Sequence, residues 1–192
     1  MEIIVGILAL EYHLITTPMF VAIVFGGVVS SVILGPWLKY SIKKRKKISI
    51  LEFFSEREVV PQLKTVTRDD IINELCAVAS EQGNMPNAES LYRAALAREN
   101  SLGTAIEEGI AFPHARIPLL VKPVIVFGRS IQGVDWNSPD GNPAHFIFLI
   151  LTPKEDDEIQ IKILRILATA MSNSAMRQDI TKAADRSELW NV

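Results

Sequence analysis

The stretch His145-Phe-Ile-Phe-Leu-Ile-Leu151 contains no Asp, Glu, Lys or Arg. A continuous apolar run of this length is typical of a β-strand that is buried on both faces. Pro123-Val-Ile-Val-Phe127 is a second apolar run of the same kind. Between the two runs, the segment from Asp135 to Pro143 is rich in Gly, Pro, Asn and Asp and is predicted to be a loop. Ala105 to Phe112 is a third strand candidate, interrupted by acidic residues.

Helical patterns lie on both sides of these strands in the sequence. Thr67 is predicted to cap a first helix, and Asn87 a second helix that runs to about Arg98. A third apolar pattern with helical spacing follows Pro153, and short helices close the chain. This order predicts an α/β fold in which helices cover a mixed sheet, over residues 48–192.

A charge-free segment runs from Tyr12 to Leu38. Since a helix needs roughly 20 apolar residues to cross ~30 Å of hydrocarbon, we expect residues 14–38 to form a transmembrane helix in the lipid bilayer. A signal peptide is the competing interpretation, but its basic residues would precede the apolar core. Residues 1–12 are too short to cross and are expected to be the end of a preceding membrane helix, an interpretation in which the chain would be a fragment of a longer membrane protein.

Five consecutive basic residues, Lys43 to Lys47, follow the apolar segment. This stop-transfer and positive-inside pattern predicts a basic linker at 39–47 and places residues 39–192 in the cytoplasm, at the inner or cell membrane. Residues 1–47 carry a net charge of +4 within a total of −2, which leaves −6 for residues 48–192. An acidic domain argues against nucleic acid as a partner.

The candidate chemistry lies in Gly103-Thr-Ala-Ile-Glu-Glu-Gly-Ile-Ala-Phe-Pro-His-Ala-Arg116. A short strand, then Pro113, places His114 at a strand end, where active residues commonly lie. A neutral imidazole is a competent nucleophile, and the planar fork of an arginine holds phosphoryl oxygens well. From these residues alone, a structural or surface role for His114 is the more common case, and Arg98 suits a helix C-terminus.

The run Arg98-Glu-Asn-Ser-Leu-Gly-Thr-Ala-Ile-Glu-Glu-Gly-Ile-Ala-Phe-Pro-His114 resembles the signature of enzyme IIA, type 2 (fructose/mannitol/nitrogen-regulatory), of the phosphoenolpyruvate-dependent phosphotransferase system. The later strand that ends in a proline, Phe146 to Pro153, is similar too. The resemblance implies that His114 accepts a phosphoryl group from an HPr-like carrier and that Arg98 contacts that group. No cofactor or metal is implied.

One position departs from that family pattern. Many members carry a second histidine early in the helix after the strand, and here the matching residue is Gln160. Glutamine donates hydrogen bonds but cannot carry a proton charge, so the rate and direction of transfer are expected to differ. His145 is either a supporting site residue or a strand-end histidine satisfied locally, and the second interpretation is preferred.

The segment Leu14-Ile-Thr-Thr-Pro-Met-Phe20, with the apolar run to Pro36, resembles the last membrane helix of potassium-efflux type cation/proton antiporters. The two resemblances together imply a regulatory phosphocarrier domain attached to the membrane end of an antiporter. Two alternatives stay open. One is a sugar-specific enzyme IIA that passes phosphate to an enzyme IIB, and the other is a binding module that is not phosphorylated.

Overall fold

The computed structural model describes residues 2–43, 49–83 and 85–192, and the chain divides into two units, 1–47 and 48–192. The first unit contains helix α1 (Glu2–Glu11) and helix α2 (Thr17–Lys43). Within α2, Thr17–Leu38 has a mean hydropathy of 2.2 and is long and apolar enough to cross a membrane.

Helix α2 differs from the predicted transmembrane segment at both ends. It begins at Thr17 rather than at residue 14, with Pro18 in its first turn, where the missing N–H of proline is tolerated. It also continues to Lys43, through the first half of the predicted basic linker. Residues 44–47 of that linker, and Ile48, lie outside the described residues.

The second unit contains a single sheet in its described part, with helices α3 to α7. The strands are β1 (Val59–Val60), β2 (Ala105–Ile106), β3 (Ile110–Ala111), β4 (His114–Ile117), β5 (Val124–Val134) and β6 (Ala144–Pro153). The helices are α3 (Arg68–Ser80), α4 (Ala88–Ser101), α5 (Asp157–Met171), α6 (Ser174–Lys182) and α7 (Arg186–Asn191).

Strand β6 is the centre of the sheet. It pairs with β5 in the antiparallel direction on one side, and with β3 and β4 in the parallel direction on the other. The predicted mixed sheet is therefore confirmed. The predicted strand from Ala105 to Phe112 is wrong as one element, because Glu108 and Gly109 adopt positive φ angles and fold it into the β2–β3 hairpin.

Alternation along β6 separates two hydrophobic clusters, one on each face of the sheet. One face of the strand packs in the cluster that contains α3 and α4, and the other face packs in the cluster that contains α5, α6 and α7. The first set is Ile147, Leu149 and Leu151, and the second is Phe146, Phe148 and Ile150. Burial on both faces explains why this segment reads as a continuous apolar run.

Two predicted helix caps are confirmed. The side chain of Thr67 accepts a hydrogen bond from the first turn of α3, and that of Asn87 does so for α4. Helix α4 ends at Ser101, three residues later than predicted, which leaves Arg98 in its last turn. Cys76 is fully buried, and burial raises the pKa of its thiol to about 12.

Two glycines with positive φ angles allow a matched stability test. A Cβ on Gly133 (φ +77°) would lie 2.7 Å from Pro143 Cβ and 2.8 Å from His145 Cε1, whereas a Cβ on Gly141 (φ +72°) meets nothing within 4 Å. We expect Gly141→Ala to lower the free energy of unfolding by about 1 kcal/mol through backbone strain alone. Gly133→Ala adds a clash and should cost roughly 2–4 kcal/mol. Urea denaturation followed by tryptophan fluorescence measures both, and equal losses would contradict the packing argument.

Candidate functional site

His114 lies at a break within one line of strand pairing. Strands β3 and β4 keep the same register against β6, with Ile110 opposite Phe146 and His114 opposite Ile150. Pro113 has no N–H for the ladder, but its carbonyl accepts a hydrogen bond from the backbone of Ile150 at 2.9 Å. His114 is the first residue of β4, so it lies at a strand end, directly after the two-residue break that follows β3.

The imidazole of His114 is fixed by a backbone carbonyl. Its Nδ1 lies 2.8 Å from the carbonyl oxygen of Phe112, and because a carbonyl can only accept, Nδ1 must carry the proton. In the neutral ring Nε2 then holds the lone pair. The residue is only 9% exposed. Nε2 has no hydrogen-bond partner among the described residues, and no fully buried polar side-chain atom there lacks one, so Nε2 must reach solvent.

Arg98 approaches the imidazole from helix α4, which packs against β4. Its side chain is half-buried, and Nη1 donates to the carbonyl of Leu102 at 3.0 Å. Burial lowers the pKa of His114, and the nearby positive charges of Arg98 and Arg116 lower it further. The hydrogen bond that Nδ1 donates to the carbonyl of Phe112 and the negative charge of Glu99 both raise this pKa. The net effect favours the neutral, nucleophilic ring.

Glu99 anchors the end of α4 from inside the core. The residue is 2% exposed, and its Oε1 accepts from the backbone N–H of Thr104 at 3.0 Å and from Nε1 of Trp136 at 3.1 Å. Its Oε2 also accepts from the hydroxyl of Thr104. A buried carboxylate with three donors is well satisfied, so the helix end that carries Arg98 is held firmly against the next loop.

Arg116 joins the site, although the sequence analysis gave it no role. His114 and Arg116 are two residues apart on β4, so their side chains lie on the same face of the strand. Ala115, between them, packs on the α3–α4 side, and His114 and Arg116 therefore face α5. There the Nε of Arg116 donates to Oε1 of Gln160 at 3.1 Å, and Nη1 pairs with Asp157 at 2.5 Å. The sequence contains one signal for this placement, because Arg116 follows His114 by two residues, the spacing that puts side chains on one face of a strand.

Gln160 and His145 have different positions relative to His114. Gln160 is 8% exposed, and its Oε1 also accepts from the hydroxyl of Thr152 at 3.3 Å. His145 precedes Ile150, the partner of His114, by five residues on β6, or roughly 17 Å along a strand. Its Nδ1 is bonded to the carbonyl of Ser130 at 2.8 Å. The structure therefore places Gln160 against Arg116, two residues after His114, but leaves His145 apart.

Within the described ranges, no group of three or more His, Cys, Asp or Glu side chains is arranged to hold a metal ion. The arrangement is instead a nucleophilic nitrogen beside two guanidinium groups. Such a pair of cations suits an anionic group with several oxygens, such as a phosphoryl group.

The second unit matches one protein family over nearly all of its length. Residues 52–192 match the model described as "Phosphoenolpyruvate-dependent sugar phosphotransferase system, EIIA 2". The chain is 28% identical over 145 residues to the "PTS system fructose-specific EIIABC component" of Bacillus subtilis, covering 76% of this chain but only 23% of that protein. It is 27% identical over 143 residues to the "Nitrogen regulatory protein" of Bradyrhizobium diazoefficiens, covering 74% of this chain and 93% of that protein.

Among solved structures, the nitrogen regulatory protein IIA-Ntr from Neisseria meningitidis has a similar fold. The TM-score is 0.70 at 21% sequence identity, and the match covers 74% of this chain and 98% of that one.

The pKa of His114 is expected to lie below its ordinary value of 6.5, with burial as the largest cause. Between the lowered value and 6.5 the folded protein binds fewer protons than the unfolded chain, so the stability from the neutral ring is present above 6.5 and is lost as the pH falls through the folded pKa. NMR titration of the ring measures this pKa. Arg98→Gln removes one lowering charge and should raise it, and a wild-type value of 6.5 or above would contradict the site's electrostatics.

Proposed function

Because the chain belongs to the EIIA 2 family of the phosphoenolpyruvate-dependent sugar phosphotransferase system, we propose that residues 48–192 form a cytoplasmic phosphohistidine domain in which Nε2 of His114 accepts the phosphoryl group. One observation carries the assignment. The carbonyl of Phe112 holds the proton on Nδ1, which leaves a solvent-reachable lone pair on Nε2 beside Arg98.

The transfer is a displacement at phosphorus. The donor is a small carrier protein of the HPr type that itself carries a phosphohistidine. Nε2 of His114 attacks the phosphorus, the new N–P bond forms, and the N–P bond to the donor imidazole breaks as that ring takes back its electron pair. Positive charge grows on the ring of His114 during attack, and the Nδ1–H bond to Phe112 stabilises it. Arg98 binds the oxygens of the phosphoryl group, since charge stabilisation and positioning dominate phosphoryl transfer.

Incubation of the protein with phosphoenolpyruvate, enzyme I and HPr, followed by mass spectrometry, tests the assignment. We expect one phosphate on the wild-type chain, on a peptide that contains His114, and none on His114→Ala. His145→Ala is the matched control, because the imidazole of His145 lies elsewhere on β6 and is hydrogen-bonded to the carbonyl of Ser130 on β5. This variant should be labelled like wild type. An unlabelled wild-type protein, or label on His145, would overturn the proposal.

The finer role we propose is regulation of an attached transporter. In this proposal α2 is the last membrane helix of a potassium-efflux type cation/proton antiporter, anchored in the lipid bilayer, and the phosphoryl state of His114 biases transport. Two observations support it: Thr17–Leu38 is apolar and long enough to span, and no residue of its apolar window is buried within the protein. The likeness to nitrogen regulatory proteins fits a regulatory role. The coding sequence upstream of Met1 should encode further membrane helices, and its lack of them would contradict this role.

A sugar-uptake role is the second candidate, favoured by the likeness to the fructose-specific relative. The domain would then pass its phosphoryl group from His114 to a cysteine of an enzyme IIB. Adding an enzyme IIB of the fructose type to the labelled protein separates the two roles, because loss of label from His114 to the added protein supports sugar uptake. A third candidate is a binding module that is never phosphorylated, and it is favoured by Gln160, whose side chain cannot carry a proton charge. Phosphate on His114 in the labelling experiment would exclude this binding-module role.

A further inference from the structure

We propose that Arg116 is a second phosphoryl-binding residue of the His114 site and that Gln160 is a positioning residue acting through it. The inference rests on the proposed function and extends it to a residue that the sequence analysis left without a role. Arg116 lies on β4 and contacts Gln160 on α5.

Strand geometry brings Arg116 to the acceptor nitrogen's side of the sheet. Two residues along a strand separate the Cα atoms of His114 and Arg116 by about 6.6 Å, with both side chains on the same face. Of the guanidinium nitrogens, Nε is bonded to Gln160 and Nη1 to Asp157. Nη2 has no partner in the described part of the chain, so it remains available to an anion beside His114.

The contacts of Arg116 are poorly explained as stabilising contacts. The side chains of Arg116 and Asp157 are 44% and 68% exposed, and an ion pair that exposed contributes little to stability. Gln160, in contrast, is buried, and its single acceptor oxygen is shared between Arg116 and the buried Thr152. A buried amide therefore fixes the direction of an exposed guanidinium, which is how a ligand-binding side chain is preorganised.

Charge supplies the second reason. A phosphoryl group on nitrogen carries close to two negative charges, and Arg98 alone provides one positive charge. Arg98 reaches the site from the end of α4 and Arg116 from β4, so the two guanidiniums come from separate elements. Asp157 holds Arg116 while the site is empty and would have to compete with the phosphoryl oxygens once His114 is modified.

The test compares variants of the full 192-residue chain in detergent micelles, with HPr phosphohistidine as donor and rapid quenching to obtain the transfer rate. We expect Arg116→Gln to slow transfer about tenfold or more, as for loss of one preorganised charge-stabilising donor. Arg116→Lys, which keeps the charge but not the fork, should be intermediate. Arg93→Gln is the matched control, because Arg93 is an exposed arginine that pairs with Glu89 on the surface of α4. Equal rates for Arg116→Gln and Arg93→Gln would overturn the proposal.

A double-mutant cycle tests the positioning role of Gln160. Gln160→Leu should slow transfer less than Arg116→Gln, and Gln160→Leu combined with Arg116→Gln should be no slower than Arg116→Gln alone. If the double variant slows transfer by the product of the two single-variant factors, Gln160 acts independently of Arg116. Unchanged circular dichroism spectra establish that each variant is folded.

A second readout separates failure of this inference from failure of the proposed function. Inorganic phosphate is titrated against the full chain while the ring resonances of His114 are followed by NMR. If wild type accepts no phosphoryl group, the phosphohistidine function fails, but Arg116→Gln should still need several-fold more phosphate for the same shift. If Arg116→Gln responds to phosphate as wild type does, Arg116 is not an anion-binding residue.

Discussion

The hydrogen bond between Phe112 and Nδ1 of His114 is the contact on which the site depends. Along this line of strand pairing the carbonyls of Gly109 and Pro113 accept from β6, so the carbonyl of Phe112 points away from the ladder with β6. The proline that follows removes one donor from that ladder, and the chain places the Phe112 N–H on Thr104, the Phe112 carbonyl on the imidazole, and the Pro113 carbonyl on Ile150. The N–H and the carbonyl of Phe112 and the carbonyl of Pro113 are all hydrogen-bonded, and the interruption supplies a fixed tautomer of His114.

The rest of the fold brings separate segments to this break. Strand β6 provides the register, and the apolar side chains of its two faces hold helices on both sides of the sheet. On one side Glu99 fixes the end of α4 and therefore the backbone position from which the Arg98 side chain extends. On the other side, the first turns of α5 present Asp157 and Gln160 to Arg116. The cationic surroundings of the imidazole are thus a product of packing between elements far apart in sequence.

The sequence predicted those parts of the fold that depend on local patterns. The double-sided burial of β6 and the caps at Thr67 and Asn87 follow from apolar runs and short-range hydrogen bonds. It failed where periodicity carries no signal. The hairpin at Glu108 needs a positive φ angle that no periodicity reveals. For His145, the preferred interpretation of a locally satisfied histidine agrees with its bond to the carbonyl of Ser130. The sequence does not reveal a role for Arg116, because its partners Gln160 and Asp157 lie more than forty residues away.

The burial of Cys76 has a practical consequence for spectroscopy. It is the only cysteine of the 192 residues, it is fully enclosed, and its thiol stays protonated at neutral pH. Maleimide and nitroxide reagents, which react with exposed thiolates, will therefore leave the natural chain almost untouched. A fluorophore or spin label attached through one introduced surface cysteine would report from that position alone, and Cys76 would not have to be replaced first.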